Sequence, residues 1–367
     1  MRDYLDKGLH TMNDKKISII IPVYNGAEYI GECLNSIIFQ DNSHSFEIIV
    51  IDDGSVDNTH DIVRKYRAMH PNISLLRQRN AGVAAARNAG IRASHGKYLT
   101  FVDADDKVGA APEFTKNLYC HSIRQLYSND IKIFRTKNSS QKAEVTFSSG
   151  YFKEMLDIAA KTDSDAVLGG KITRKSTRDT EYFTGHIYDK STIYNATPAE
   201  KATLLYQADL RESANAVLFR RSFLRKNKLS FLNGMHLDED MLFCMLAVLK
   251  AKRVASAPDT IYLYNRHSDS LSNFTNEGET RYKYGIANIQ RFSILLNELK
   301  NSKLYAPLYN YWLKAFSKLG QTYPDQAKHY PPMACTYCPH LTCNECFIKQ
   351  HIDILIKNNI ETFMPQR

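Results

Sequence analysis

The chain has 367 residues, 43% of them hydrophobic, enough for one large domain or two smaller ones with a sizeable core. Its apolar stretch Ile17 to Val23 is far too short to span a bilayer, and residues 1–16 form a polar tail without an apolar signal core, so the cytoplasm is the expected location. A formal charge of +9 favours phosphorylated ligands, nucleic acid or anionic lipid headgroups; seven cysteines, an odd number without an export signal, point to reduced thiols.

The first third alternates strand and helix. Ile17 to Val23 is a near-continuous apolar run, as in a strand buried on both faces. Helical spacing follows over Glu28 to Phe39, with Tyr29, Cys33, Leu34, Ile37 and Ile38 on one stripe. Phe46 to Ile51 reads as a second strand, Val56 to Ala68 as a helix and Ile73 to Leu76 as a short strand. Val83 to Ala93 is an alanine-rich helix, and Tyr98 to Val102 a fourth strand. This alternation predicts a parallel sheet with right-handed crossovers. Further on, Ile131 to Arg135, Ala166 to Thr173, Ala214 to Phe219 and Thr260 to Tyr264 look like strands. Pro198 to Tyr206, Asp240 to Leu249, Tyr282 to Leu299 and Tyr305 to Leu319 look helical, and prolines near 324–332 mark a boundary.

The strand tips of the first third carry the chemistry. Phe101-Val102-Asp103-Ala104-Asp105-Asp106 ends an apolar strand in three acids. Continued strand alternation would point Asp103 and Asp105 the same way while Asp106 leaves at the turn. Two carboxylates a few ångströms apart repel, and a hard divalent cation, Mg²⁺ or Mn²⁺, reconciles them while keeping water and phosphate oxygens as further ligands. A solvated acidic turn is the competing reading.

Ile21-Pro22-Val23-Tyr24-Asn25-Gly26 offers Tyr24 as a ring to lie on a planar base, or simply to close the sheet. In Val50-Ile51-Asp52-Asp53-Gly54-Ser55, the acids either accept hydrogen bonds from a base or ribose or form the turn; Asp57 suits a helix cap. Arg87 sits inside the Ala-rich helix, where it meets an anion or else snorkels to solvent; its forked donors match a diphosphate.

Taken together, IIIPVYNGAEYI, IIVIDDGSVDNT, NAGVAAARNAGI and YLTFVDADD resemble, in order and spacing, the nucleotide-sugar half of family 2 glycosyltransferases of the GT-A type. The resemblance is strong over residues 17–106 and looser to about 272. It implies an α/β fold: a Rossmann-like, mainly parallel sheet flanked by helices. Tyr24 and Asp53 then look like base contacts with Asp52 nearby, Pro22 belongs to the same donor site, Arg87 to the diphosphate, and Asp103 and Asp105 to the metal. Asp103 also lies near the donor ribose, and Asp106 has a supporting role.

Ala216 to Leu224, followed by His236 to Phe243, resembles the acceptor half, where a Glu-Asp pair opens a helix. Dipole compensation alone explains acids there. The resemblance makes Asp240 the general base and Glu239 a positioning acid. It also places Arg266 as a phosphate clamp and His267 as a metal or phosphate contact, against a plain hydrophilic hairpin end.

The implied reaction is inverting transfer from a nucleotide-sugar, UDP favoured, to a hydroxyl of a saccharide or lipid-linked saccharide in surface-polysaccharide synthesis. A peripheral contact with the inner membrane face suits the basic chain. Two other readings stand beside it. A sugar-nucleotide nucleotidyltransferase would open with a Gly-rich basic phosphate loop, which Pro22 to Gly26 lacks. A zinc-bearing nucleic-acid binder lacks a matching reader motif.

Outside the resemblance, Cys335-x₂-Cys338-x₄-Cys343-x₂-Cys346 offers four thiolates for a structural Zn²⁺, although the pairs stand closer than in usual zinc ribbons; reduced free thiols are the alternative. The expected organisation is a tail (1–16), a donor half (17–110), an acceptor half (111–275), a helical region (276–330) and a Cys-rich tail (331–367).

Overall fold

In the computed structural model, the described residues are 16–40, 46–108, 131–134, 150–176, 181–186, 193–195, 214–233 and 239–266. The chain divides into two units, Met1–Gly234 with Phe243–Ser270 and Met235–Leu242 with Leu271–Arg367; of the second, residues 239–242 are described.

The first unit begins with β1 (Ile17–Val23), α1 (Ile30–Ile38), β2 (Phe46–Asp52), α2 (Thr59–Met69), β3 (Ile73–Arg77), α3 (Val83–Ala93) and β4 (Tyr98–Phe101). Strands β3, β2, β1 and β4 lie side by side in that order, all parallel. The chain therefore runs outward from β1 to β3 and returns to the other side of β1. This reversal opens a crevice at the carboxyl ends of β1 and β4, where open α/β sheets bind ligands.

The continuous apolar runs follow from burial on both faces. Ile17, Ile19 and Ile21 enter one core with Ile48, Val50 and α1 residues Ile30, Cys33, Leu34 and Ile37. Ile20 faces the opposite way, joining Leu99 and Phe101. Helix α3 lies close against the sheet because its face is small: Ala86 packs on Ile49 and Ile51.

Beyond β4 the sheet is mixed. It continues through β10 (Val217–Arg220), β7 (Ala166–Ser176), β11 (Arg253–Arg266) and β5 (Lys107–Val108), while β6 (Ile131–Phe134), β8 (Glu181–His186) and β9 (Ile193–Asn195) pair at its side. Strand β10 is antiparallel to both β4 and β7, and β11 is parallel to β7. Phe101 meets Phe219, Phe231 and Phe243 edge-on at 5.0–6.3 Å between centroids, and Phe231 stacks on Phe243 at 4.1 Å. Phe243, Cys244, Ala247 and Val248 bring α6 (Glu239–Lys250) onto this core.

Some expected boundaries move. Helix α2 starts at Thr59 rather than Val56, because Ser55, the Val56 N–H and Asp57 bind the β1 tip, leaving the Val56 side chain exposed. Ala214–Ala216 is a 3-10 turn, so the strand begins at Val217; the basic stretch after it forms α5 (Arg221–Lys226). An unanticipated helix, α4 (Tyr151–Thr162), buries Tyr151, Phe152, Met155 and Ala159 on one stripe. The helices expected at Pro198–Tyr206 and beyond residue 275 lie outside the described residues.

Candidate functional site

Three strand tips meet around the crevice. At the β1 tip, Tyr24 is 51% exposed. Its loop is held by the β2 tip: the Asn25 N–H donates to Ser55 Oγ (2.9 Å), Gly26 N–H to Thr59 Oγ1 (2.9 Å) and Ala27 N–H to Asp57 Oδ2 (3.0 Å). Asn25 takes a left-handed φ of 50° in this loop, and Pro22 is buried in β1 below it. Asp57, expected to cap α2, stands one residue before the N-cap Asn58 and accepts from the N–H of Thr59, the first residue of the helix, at 3.0 Å. Burial pushes the Asp57 carboxyl up slightly, but hydrogen bonds from Thr59 and Ala27 outweigh it and hold its pKa below the ordinary carboxylate value.

The β2 acids are turned inward. Asp52 is fully buried; its Oδ1 accepts from the Ser55 N–H at 2.8 Å, and its Oδ2 lies 3.2 Å from His60 Nδ1 and 3.5 Å from Arg77 Nε. Asp53 is also buried. Its Oδ1 accepts from Gln78 Nε2 (2.7 Å) and the Ala81 N–H (3.0 Å), and its Oδ2 from the Gly82 N–H (2.8 Å). A carboxylate offers about four acceptor positions; Asp53 uses three of them to fix the loop that starts α3. Gly54 makes the close approach between these loops: its φ is +83°, and a Cβ there would lie 2.9 Å from the Asn80 nitrogen.

At the β4 tip, the strand stops at Phe101 and the acids occupy a tight turn closed by the Asp106 N–H donating to the Asp103 carbonyl at 3.0 Å. Strand alternation therefore does not set their directions; the turn and its partners do. Asp103 Oδ1 accepts from Arg87 Nη2 at 2.8 Å, and Oδ2 from Asn215 Nδ2 at 2.6 Å. Burial raises the Asp103 pKa, but the Arg87 charge and hydrogen bond, with help from Asn215, outweigh it and leave the carboxyl below its ordinary value.

Asp106 is fully buried. It accepts from Tyr262 Oη (2.6 Å) and from the Asn265 N–H (2.9 Å), tying the turn to β11. Burial and then the charges of Asp105 and Asp103 push its pKa well above the ordinary range. Asp105 is half-buried, and its carbonyl accepts from Asn265 Nδ2 at 3.0 Å.

Arg87, expected at the diphosphate, is instead paired with Asp103. Its side chain is 4% exposed, with its guanidinium 5.3 Å above the Phe231 ring, so it reaches the acidic turn from within the protein. The next residue, Asn88, exchanges two 2.8 Å hydrogen bonds with the Phe231 backbone. Asn215, Asn265, Tyr262 and Asn88 were not singled out by the sequence. Asn215 precedes the acceptor-half motif directly, which is the one signal that could have found it.

Among the described residues no three or more His, Cys, Asp or Glu side chains gather as a metal ligand set. The chemistry of the acidic turn nonetheless fits a hard divalent cation with few protein ligands. It offers oxygens only, and the crowding that raises Asp106 is negative charge that a cation would relieve.

Glu239 and Asp240 form the first turn of α6; Glu239 is buried, and Asp240 is half-buried with its Oδ1 accepting from the Met241 N–H at 2.7 Å. Arg266 ends β11 opposite Lys175. The Arg266 side chain, His267 and the cysteines Cys335, Cys338, Cys343 and Cys346 lie outside what is described. No described helix is long and apolar enough to cross a membrane.

Residues 18–110 match the model described as glycosyl transferase family 2. The chain is 25% identical over 347 residues to the uncharacterized glycosyltransferase YibD of Escherichia coli K12, covering 94% of this chain and 83% of that protein. It is 28% identical over 252 residues to the poly(ribitol-phosphate) beta-glucosyltransferase of Bacillus spizizenii, covering 68% of this chain but only 32% of that enzyme. In fold it is similar to Staphylococcus aureus TarS residues 1–349 in complex with UDP-GlcNAc, with a TM-score of 0.54 and 19% identity over 96% of this chain and 93% of that one.

Proposed function

From the match of residues 18–110 to the family 2 glycosyltransferase model and the GT-A-like fold, we propose that the chain transfers a hexosyl or N-acetylhexosaminyl group from a UDP-sugar to a hydroxyl of a growing surface polysaccharide, with inversion. The observation that carries this reading is the acidic turn at the β4 tip. It stands at the switch point of the sheet, where Ala104 lies against Gly26 of the β1-tip loop that carries Tyr24, with Asp103 gripped from two sides.

Tyr24 stacks on the base, and the remaining acceptor position of Asp53 receives a base or ribose donor. Asp105 and Asp103 would hold Mn²⁺ or Mg²⁺, which when bound neutralises the charge developing on the departing nucleoside diphosphate. Asp103 needs no proton removed for this, since Arg87 and Asn215 already favour its ionised form. Arg87 acts by fixing Asp103 rather than by meeting phosphate directly. Asp240 takes the acceptor hydroxyl proton as that oxygen attacks the anomeric carbon, and Glu239 positions the acceptor. One base and no covalent nucleophile give inversion.

The UDP and polysaccharide assignments draw support from the relatives. A TarS protein at 26% identity over 251 residues is described as a poly(ribitol-phosphate) beta-N-acetylglucosaminyltransferase. A lipid-linked acceptor and a peripheral stand at the inner membrane face extend this reading, in keeping with the +9 charge. The test is a panel of nucleotide sugars with Mn²⁺, scored by released nucleoside diphosphate. Asp240→Asn is expected to keep donor binding while turnover falls about 10²- to 10⁴-fold; unchanged turnover would remove the base assignment. Release that continues undiminished in a chelator would remove the metal.

A further inference from the structure

Asn215 is the second grip on Asp103, and nothing in the acceptor-half motif required it. The 3-10 turn Ala214–Ala216 buries its side chain to 2% exposure between two fully buried alanines. The turn runs directly into β10, which is held between β7 (Val217 opposite Leu168) and β4 (Phe219 opposite Leu99), and the Thr100 hydroxyl donates to the Val217 carbonyl at 2.9 Å. The amide nitrogen stands 2.6 Å from Asp103 Oδ2. The reverse orientation of the amide would set oxygen against oxygen at that distance, so the donor assignment is forced.

The other end of the same amide is the informative one. Asn215 Oδ1 is buried with no hydrogen-bond partner among the described residues. A buried acceptor without a donor destabilises a fold, and an apolar side chain of the same size would avoid that penalty. Asn215 is thus a poor choice for packing and a good one for holding a carboxylate. Arg87 from the donor half and Asn215 from the acceptor half take one oxygen each of a single side chain. A carboxylate held at both oxygens cannot rotate about its terminal bond.

We propose that Asn215 is a positioning residue that sets the orientation of Asp103 for the nucleotide and its divalent cation. The inference rests on the proposed function and deepens it: the acceptor half of the domain helps to build the donor site. Asn215 acts only through Asp103, and that dependence is what the experiment reads.

The full chain is titrated with UDP in the presence of Mn²⁺ in a calorimeter. The wild type, Asn215→Ala, Asn215→Leu, Asp103→Asn and the double variant Asn215→Ala with Asp103→Asn are compared. Asn215→Leu fills the same space without the orphan oxygen and guards against a simple folding failure. Both single Asn215 variants are expected to bind UDP with Mn²⁺ about 10- to 100-fold more weakly, as for loss of a partner that orients a metal ligand. In the Asp103→Asn background, Asn215→Ala is expected to change affinity no further. Unchanged affinity in Asn215→Ala and Asn215→Leu overturns the inference, and so do losses that simply add in the double variant. A wild-type chain that binds no UDP with Mn²⁺ overturns the donor-site reading itself, and this inference with it.

Discussion

The β2 and β4 tips look alike in sequence, each an apolar strand running into paired acids, yet they are opposite in physics. At the β2 tip, Asp52 and Asp53 are buried among donors: backbone N–H groups of Ser55, Ala81 and Gly82, the Gln78 amide, and the His60 and Arg77 side chains. At the β4 tip the carboxylates crowd one another, and Asp106 is held toward its neutral form by burial and by Asp105 and Asp103. The number of acids therefore does not mark a binding site. Carboxylates crowded against one another, as Asp105 and Asp106 are beside the Arg87-paired Asp103, are the better sign.

The sharpest way to break this comparison is to truncate one acid at each tip. Asp105→Ala is expected to abolish metal-dependent donor binding and lower turnover by about 10²- to 10³-fold, the range for losing one electrostatic stabiliser. Its thermal midpoint should hold. Asp53→Ala is expected to do the converse in stability, removing the hydrogen bonds that the buried carboxylate accepts from Gln78, Ala81 and Gly82, at about 1 kcal/mol each. A denaturant titration reads this. An Asp53→Ala chain as stable as the wild type would show that the β2 tip is not the structural one.

A smaller effect separates the tips by pH. The Asp106 pKa is raised by folding, so the stability linked to its proton is present below the ordinary carboxylate pKa and is lost as pH rises through the raised value. In a chelator, Asp106→Asn should therefore gain on the wild type as pH rises from about 4 to 8. The smallest effect belongs to Asp57, whose pKa is lowered: its stabilisation is present above the ordinary value and fades as pH falls through the lowered one. The midpoint difference between wild type and Asp57→Asn should shrink between pH 7 and about pH 3.

The sequence made the first third legible because β1, β2 and β4 are buried on both faces. Ile17–Val23 and Val83–Ala93 have the bounds that apolar runs and punctuation suggested. It was less informative past β4, where strands such as β8 and β9 carry no continuous apolar run and pair by long-range register. The site was legible as a set of acids at strand tips. What stayed hidden was partnership. Arg87 reads as a phosphate ligand in sequence because its neighbours are alanines, but the Asp103 carboxylate it meets lies sixteen positions on. Asn215 and Asn265 reach the acidic turn from far along the chain, through a 3-10 turn and a strand end that no local pattern announces.

Gly90 shows where the dimensions of this region are set. It lies on α3, three residues beyond Arg87, and a Cβ there would fall 2.2 Å from Ile20 Cγ2 on β1. One missing methyl group thus works as a spacer gauge: it determines how near the helix lies to the sheet, and so how far the guanidinium must extend. Enlarging it would lift the whole lever from its seat without touching any polar atom. Retuning that span would take a matched exchange, a bulkier residue at Gly90 traded against a slimmer one at Ile20, rather than any change among the charged groups themselves.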